Sequence, residues 1–196
     1  MVLTSYLNKE VDFEESNKQL LEEILAFGLS LGADFVEIFL ENSDNLTVLV
    51  EEDHITSVSP SFGKGAGIRI FKDKRDGFVS TNDLSRNGLI NSITQAIEML
   101  DIDSKKNITE FEGLESIRNY SIHKNNWINI IPNVNEIGDK LLSSTKLLSK
   151  EEKVNVRKGS YARNWQKVII ASSDGTFAKD IRLHQTVGLN VISVDK

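Results

Sequence analysis

The sequence predicts an α+β protein in which an antiparallel or mixed β-sheet carries about three helices, in the order α-ββββ(β)-α-long connection-α-βββ. Three observations lead there. Apolar residues recur at helical spacing in three separated windows, two-residue alternation fills stretches on either side of them, and turn-forming residues punctuate the alternation. No Pro/Gly/Ser-rich linker divides the chain, so one layered domain is expected. Strands from both ends could join one sheet or form two lobes.

Residues 1–15 read as a leading arm. Ser16 and Gln19 have the spacing of a capping box, and Leu20, Ile24, Phe27 and Leu31 follow at helical intervals. Gly32 stands where a left-handed C-cap is wanted, so a helix is expected over 16–32. From Asp34 the period changes to two. Four runs, 34–41, 45–51, 54–61 and 66–72, are separated by turn-formers, with Ser43-Asp44-Asn45 and Glu52-Asp53 as tight connections. A fifth run, Gly77 to Thr81, returns across the charged turn Asp73-Lys74-Arg75-Asp76.

Asn82 or Asp83 is placed to cap a second helix through about residue 102, whose face is marked by Leu84, Ile90, Ile93, Ile97 and Leu100. Residues 103–126 show no sustained period and read as a long connection, with a short element around Trp127 to Ile131. Asn133 and Glu136, just after Pro132, open a third helix with Val134, Ile137, Leu141 and Leu148 on its apolar face. Val154 to Arg163 alternates, Val168-Ile169-Ile170-Ala171 follows after Asn164-Trp165, and Ser172-Ser173-Asp174-Gly175 makes a turn. In the final strand Phe177, Ile181, Leu183, Val187, Leu189 and Val191 share one parity, and Arg182, His184, Thr186 and Asn190 the other.

Composition narrows the function classes. At 196 residues the chain can bury a substantial core, and 27% charged with 39% hydrophobic residues is ordinary for a globular protein. A net charge of −6 repels phosphate, which argues against a general nucleic-acid groove. Cysteine is absent, which removes disulfides and thiolate metal sites and fits a reducing compartment. No apolar run approaches the ~20 residues of a membrane span, and the first ten residues lack the basic and apolar regions of a signal peptide. The expected localisation is cytoplasmic, with neither membrane nor nucleic acid as a partner.

The chemical motifs are weak. Gly63-Lys64-Gly65-Ala66-Gly67 lacks a Gly-Lys-Ser/Thr ending and leads into a strand pattern, Ile68-Arg69-Ile70-Phe71, so phosphate binding loses its helical basis. Glycines that let strands approach closely or bend are the plainer reading. His54, His123 and His184 are far apart in sequence and form no metal motif, with His184 the one worth watching. The acidic pairs Asp34 with Glu37, Glu51 with Glu52, and Glu151 with Glu152 read as solvated turns and strand ends, with nothing to split their pKa values into acid and base. Ser143-Ser144 and Ser172-Ser173 lie in no nucleophile elbow. Lys105-Lys106 and Arg157-Lys158, with Tyr161, Arg163 and Trp165, form a modest basic and aromatic patch, for which a cross-strand pairing face is the plainer account.

One resemblance goes further. Gly28-Leu29-Ser30-Leu31-Gly32-Ala33-Asp34-Phe35-Val36-Glu37-Ile38, then Gly65-Ala66-Gly67-Ile68-Arg69-Ile70, Gly77-Phe78-Val79-Ser80-Thr81-Asn82-Asp83-Leu84 and Ser173-Asp174-Gly175 resemble, in order and spacing, the amino-terminal domain of the TldD/PmbA family, once named modulators of DNA gyrase. The TldD branch fits best, and residues 16–196 are covered. The resemblance implies a cytoplasmic zinc-dependent metalloprotease whose subunits pair as homodimers or as TldD-like and PmbA-like heterodimers around a chamber for unfolded or small peptides. The family's His-Glu-x-x-x-His motif and its cysteine ligand have no counterpart here. The carboxy-terminal metalloprotease domain is therefore expected to be absent, and this chain is expected to carry no catalytic, cofactor-binding or metal-ligating residue and no zinc of its own, and to be inactive alone. The alternative is a free-standing adaptor that binds a partner through a strand edge. Gyrase or DNA modulation rests only on the old family name.

Overall fold

The computed structural model of the chain describes residues 11, 13, 17–100, 111–116, 133–149 and 153–194. The elements are α1 (Lys18–Ser30), β1 (Phe35–Glu51), β2 (His54–Lys72), β3 (Arg75–Thr81), α2 (Arg86–Met99), β4 (Glu115–Ser116), α3 (Val134–Leu148), β5 (Val154–Ser172) and β6 (Thr176–Ser193). All six strands form one sheet in the order β3-β2-β1-β5-β6-β4. Five strands are antiparallel and the two-residue β4 pairs parallel to the start of β6. This is the expected α+β architecture, with strands from both chain ends in one sheet. The chain divides into two compact units, and four of the five boundaries between their segments fall inside the long strands β1, β2, β5 and β6.

The first unit comprises Met1–Asn42, Gly63–Ser121 and Lys167–Ile181. Leu20, Leu21, Ile24, Leu25 and Leu29 of α1 and Leu89, Ile93, Ala96 and Ile97 of α2 are buried in one cluster with Val36, Ile38 and Leu40 of β1 and Ala66, Ile68 and Ile70 of β2. These strand positions share one parity, because successive side chains on a strand point to opposite faces. Burying each such Leu or Ile contributes about 1.5–3 kcal/mol relative to exposure. Val11 and Phe13 of the leading segment join the same cluster, and the Val11 amide donates to the Leu84 carbonyl at 3.1 Å.

Helix α1 ends as expected. Gly32 takes φ +98°, its amide bonds the Leu29 carbonyl at 2.9 Å and the Ala33 amide reaches back to the Gly28 carbonyl, the two bonds of a Schellman cap. Ser16 lies outside the described residues. The N-cap position is Asn17, whose side chain makes no capping bond. Helix α2 corrects the expected cap: Ser85, not Asn82 or Asp83, is the N-cap, its hydroxyl accepting from the Gly88 amide at 3.1 Å. Asp83 instead shapes the preceding turn by accepting from the Ser85 amide at 3.0 Å.

The second unit comprises Ser43–Phe62, Ile122–Gln166 and Arg182–Lys196. Its apolar cluster is small: Leu46, Val48, Val50, Tyr161 and Leu141 of α3, with Val134, Ile137 and Leu142 partly buried against it. Asn133 caps α3 as expected, its side chain accepting from the Asn135 and Glu136 amides at 3.1 and 3.4 Å. Leu148 of the expected face is only half-buried.

Several strand boundaries differ from expectation. Ser43-Asp44-Asn45 is not a turn, because β1 runs through it, and Asn164-Trp165 likewise lies inside β5. Asp44 pairs with Arg163 and Asn45 bonds Asn164, so the polar side chains that suggest a turn are satisfied on the adjacent strand and the sheet ladder prevails. The charged turn shortens to Asp73-Lys74, both with positive φ, and Arg75 and Asp76 pair with Lys72 and Phe71. In β6 the expected apolar parity is buried only at its start. Val187, Leu189 and Val191 are exposed. The expected element near Trp127 to Ile131 and most of the 103–126 connection lie outside the described residues.

Candidate functional site

The residues singled out for chemistry turn out mostly to be ties. Asp34, the acid of the Leu-Gly-Ala-Asp stretch, accepts from Lys72 Nζ at 2.7 Å and from the Asp73 amide at 3.0 Å. It thereby braces the Asp73-Lys74 hairpin, and the Lys72 ammonium, followed by the Asp73 amide, holds its carboxyl below the usual range. In the Ser-Asp-Gly turn, Asp174 is held low by the Ser172 hydroxyl and the Thr176 amide, and Gly175 takes φ +96°. Ser173 is stitched to the start of β1: its Oγ accepts from the Val36 amide at 3.0 Å and its own amide donates to the Val36 carbonyl. Two of the sequence signatures are thus turn anchors of the first unit.

In the second unit, Glu51 and Glu52 are not free strand ends. Lys158 lies 3.3 Å from Glu51, and the Arg157 amide and guanidinium both engage the Glu52 carboxylate, which they hold low. Glu52 adopts φ +53° at the β1–β2 turn, and Thr145 of α3 donates to its carbonyl at 3.2 Å. The basic stretch of β5 is therefore a cross-strand pairing face, as the plainer reading holds. Arg163 is 4% exposed and meets Asp44 through Nη1 at 3.4 Å. Its Nε, and the indole nitrogen of Trp165 two positions along, are buried without an acceptor among the described residues. Lys105-Lys106, Glu151-Glu152 and His123 lie outside the described residues.

Acid–base chemistry finds no poised group among the described residues. Every carboxylate with a shifted pKa among the described residues, namely Asp34, Glu52, Asp83, Glu136 and Asp174, is held low by hydrogen bonds and so stays ionised. A general acid needs the opposite shift. Burial pushes the Tyr161 hydroxyl up, against the lowering influence of Arg163. Nor does the donor set fit the zinc that the resemblance implies. His54 and His184 are both exposed, and among the described residues no three His, Cys, Asp or Glu side chains converge to hold a metal ion. Ser143 and Ser144 donate to the Lys140 carbonyl within α3.

The feature that the motif search did not find is a groove of about 330 Å³ in the first unit. It runs over Gly65 and Gly67 of β2, on the face opposite the helices, between Phe39 and Glu41 of β1 and Phe78 and Asn82 at β3 and its end. Gly63, Gly65 and Gly67 share the parity opposite to buried Ala66, Ile68 and Ile70, so the face away from the core lacks side chains along the middle strand. A side chain at Gly67 would meet the Phe78 ring at 3.0 Å, and one at Gly65 would meet Asn82 Oδ1 at 3.1 Å. The signal was present in the sequence as glycines and aromatics of matching parity. Which strands lie side by side was not.

Comparison with known proteins agrees with the fold. Residues 36–100 match the model of the PmbA/TldA metallopeptidase domain 1, and residues 132–196 match that of the PmbA/TldA metallopeptidase central domain. No curated protein matches the sequence. Among solved structures, a candidate modulator of DNA gyrase from Bacteroides thetaiotaomicron is similar with TM-score 0.71 at 16% identity, over 92% of this chain and 42% of that one. TldE from Thermococcus kodakarensis is similar with TM-score 0.71 at 21% identity, over 90% and 40%. A candidate DNA gyrase modulator from Thermotoga maritima gives TM-score 0.65 at 14% identity, over 92% and 40%. The chain thus spans about two fifths of the length of these structural relatives. With matches to consecutive domains of one family over most of its length, the chain belongs to the PmbA/TldD family of metallopeptidase domains.

Proposed function

We propose that this chain is the non-catalytic amino-terminal part of a TldD-like zinc metalloprotease that degrades unfolded or small peptides in the cytoplasm. In this reading it supplies sheet surface for pairing with a second TldD- or PmbA-like subunit and part of the wall of the substrate chamber. The observation that carries the reading is the joint match to the first and central family domains. The coverage of only two fifths of each structural relative leaves the larger part of such a protease for the chemistry. Purified alone, the chain is expected to retain no stoichiometric zinc after dialysis against it and to cleave no peptide. Elemental analysis finding one tightly held zinc per chain overturns the non-catalytic assignment. Light scattering that finds only monomers, alone and mixed with a full-length relative, overturns the pairing role.

A free-standing adaptor is the second reading, favoured by the exposed Val187, Leu189 and Val191 on β6. The nucleotide sequence downstream of Lys196 separates the two: an in-frame His-Glu-x-x-x-His supports the protease part, and a stop codon supports the adaptor.

A further inference from the structure

We propose that the groove over Gly65 and Gly67 is a binding site for a cationic side chain, lysine or arginine, presented by an extended peptide segment. The strands flanking β2 are two strand spacings apart, about 10 Å; the Phe78 ring packs over Gly67 and Asn82 over Gly65, and the groove of about 330 Å³ beside them has room for a single side chain. The walls are matched to an amphipathic cation. Phe39 and Phe78 line the groove with aromatic surface suited to an aliphatic stem and a positive charge, and Glu41 offers the counter-charge. Asn82 Oδ1, close above Gly65, adds a neutral acceptor.

The same face already contains this recognition in filled form. Arg69 of β2 lies 4.6 Å from the centre of the Phe71 ring and 3.2 Å from Asp76, so cation, ring and carboxylate are all supplied by the chain. Arg69 is the register partner of Phe78, but its guanidinium is committed to Phe71 and Asp76. At the groove two rings and a carboxylate are present, while the β2 positions that would supply the cation are glycines. Several carboxylates on or beside these strands are neutralised, Asp34 by Lys72, Asp76 by Arg69, Glu51 by Lys158 and Glu52 by Arg157, whereas Glu37 of β1 pairs with no cation among the described residues. Glu41 has no cationic partner among the described residues. Lys64, also at the rim, is engaged in an interaction of its own. An anionic ligand would meet Glu41 unfavourably.

A peptide as the source of the cation rests on the proteolytic reading above; the cation site itself does not. Titration of the 196-residue chain with N-acetyl-lysine methylamide and its arginine counterpart, followed by amide chemical shifts, is the test. The expected shifts are confined to Phe39–Glu41, Gly63–Gly67 and Phe78–Asn82, with the uncharged N-acetyl-norleucine methylamide binding about fivefold or more weakly. Glu41→Gln should weaken lysine binding about threefold to fivefold and remove most of its salt dependence. Phe78→Ala, at a 60% exposed position, should weaken both cations. Equal binding of the norleucine compound, tighter binding of the glutamate analogue, or no shift at the groove up to the solubility limit each overturns the proposal. Because these readouts involve no zinc, cleavage or pairing, the site and the protease assignment can fail separately. A lysine-containing unfolded peptide that shifts the same amides supports the peptide as the source. One that shifts none while the small cations do overturns that source.

Discussion

The two units cover parts of the same sheet by different means. The first lays two helices on β1, β2 and β3 and encloses a contiguous apolar cluster in which Leu21, Ile24, Leu25, Ile38, Ile68 and Ile70 are fully buried. The second has one helix and a small cluster, and relies on polar ties: Glu52 with Arg157, Asp44 with Arg163, and Thr145 with the Glu52 carbonyl. Burial is non-directional and sums with area, whereas a hydrogen-bonded ion pair holds one geometry and nets little after desolvation. The first unit is accordingly expected to carry most of the stability, and the second to hold a defined hairpin tip and strand surface at lower local stability.

The largest effect that could break this contrast is in the cores. Leu25→Ala, in the first unit, should cost about 3–5 kcal/mol in urea unfolding, and Leu141→Ala, in the second, about 2 kcal/mol. Equal losses would show that the small cluster is as cooperative as the large one. Next is the buried Arg163. Asp44→Ala should destabilise by about 2 kcal/mol, because it leaves a buried guanidinium unpaired, and adding Arg163→Met should recover most of that loss. A double variant no better than Asp44→Ala would mean that Arg163 has a partner other than Asp44.

A smaller change replaces Asp73-Lys74 by Asn-Gly. Both residues have positive φ, a region that costs non-glycine side chains, so the hairpin should gain about 1 kcal/mol. If Asp34 bracing dominates the turn, the gain will disappear when Asp34→Ala is added. The smallest effect is the acid limb of stability. Asp34, Asp174 and Glu52 are held below their ordinary values, so their contribution is complete above the unfolded carboxylate range and is lost as the pH falls through the folded values. Melting temperature should be level from pH 7 to about 5 and decline below about 4. Amide exchange at pH 3 should rise first at the Asp73-Lys74, Ser173-Asp174 and Glu52 turns. A uniform rise throughout would remove the view of these carboxylates as local anchors.

Much of the framework was legible because it is local. Gly32 after a helical stripe, Asn133 three residues before Glu136, and Ser-Ser-Asp-Gly between two apolar runs each carry their conformation in side chains a few positions apart. What was misread depends on neighbours distant in sequence. Asp44 and Asn45 have turn chemistry, but Arg163 and Asn164 on β5 occupy them and keep the strand straight. Ser85 displaces Asp83 as the cap because Asp83 bonds the Ser85 amide. The apolar parity of β6 is genuine in the sequence, yet Val187, Leu189 and Val191 are exposed.

The stretch from Gly63 to Asp83 divides the two kinds of information clearly. By itself, the sequence determined that its glycines lead into a strand rather than a helix, which excluded a phosphate loop, and that Asp34, Gly77 and Ser173-Asp174-Gly175 belong with it in a family pattern. Only the tertiary structure decided that Gly65 and Gly67 form a floor between Phe39 and Phe78, with Glu41 beside them. The reason is physical: alternation along a strand is encoded residue by residue, but strand order is set by the burial of a whole sheet face, and a groove exists only between strands that this burial brings together.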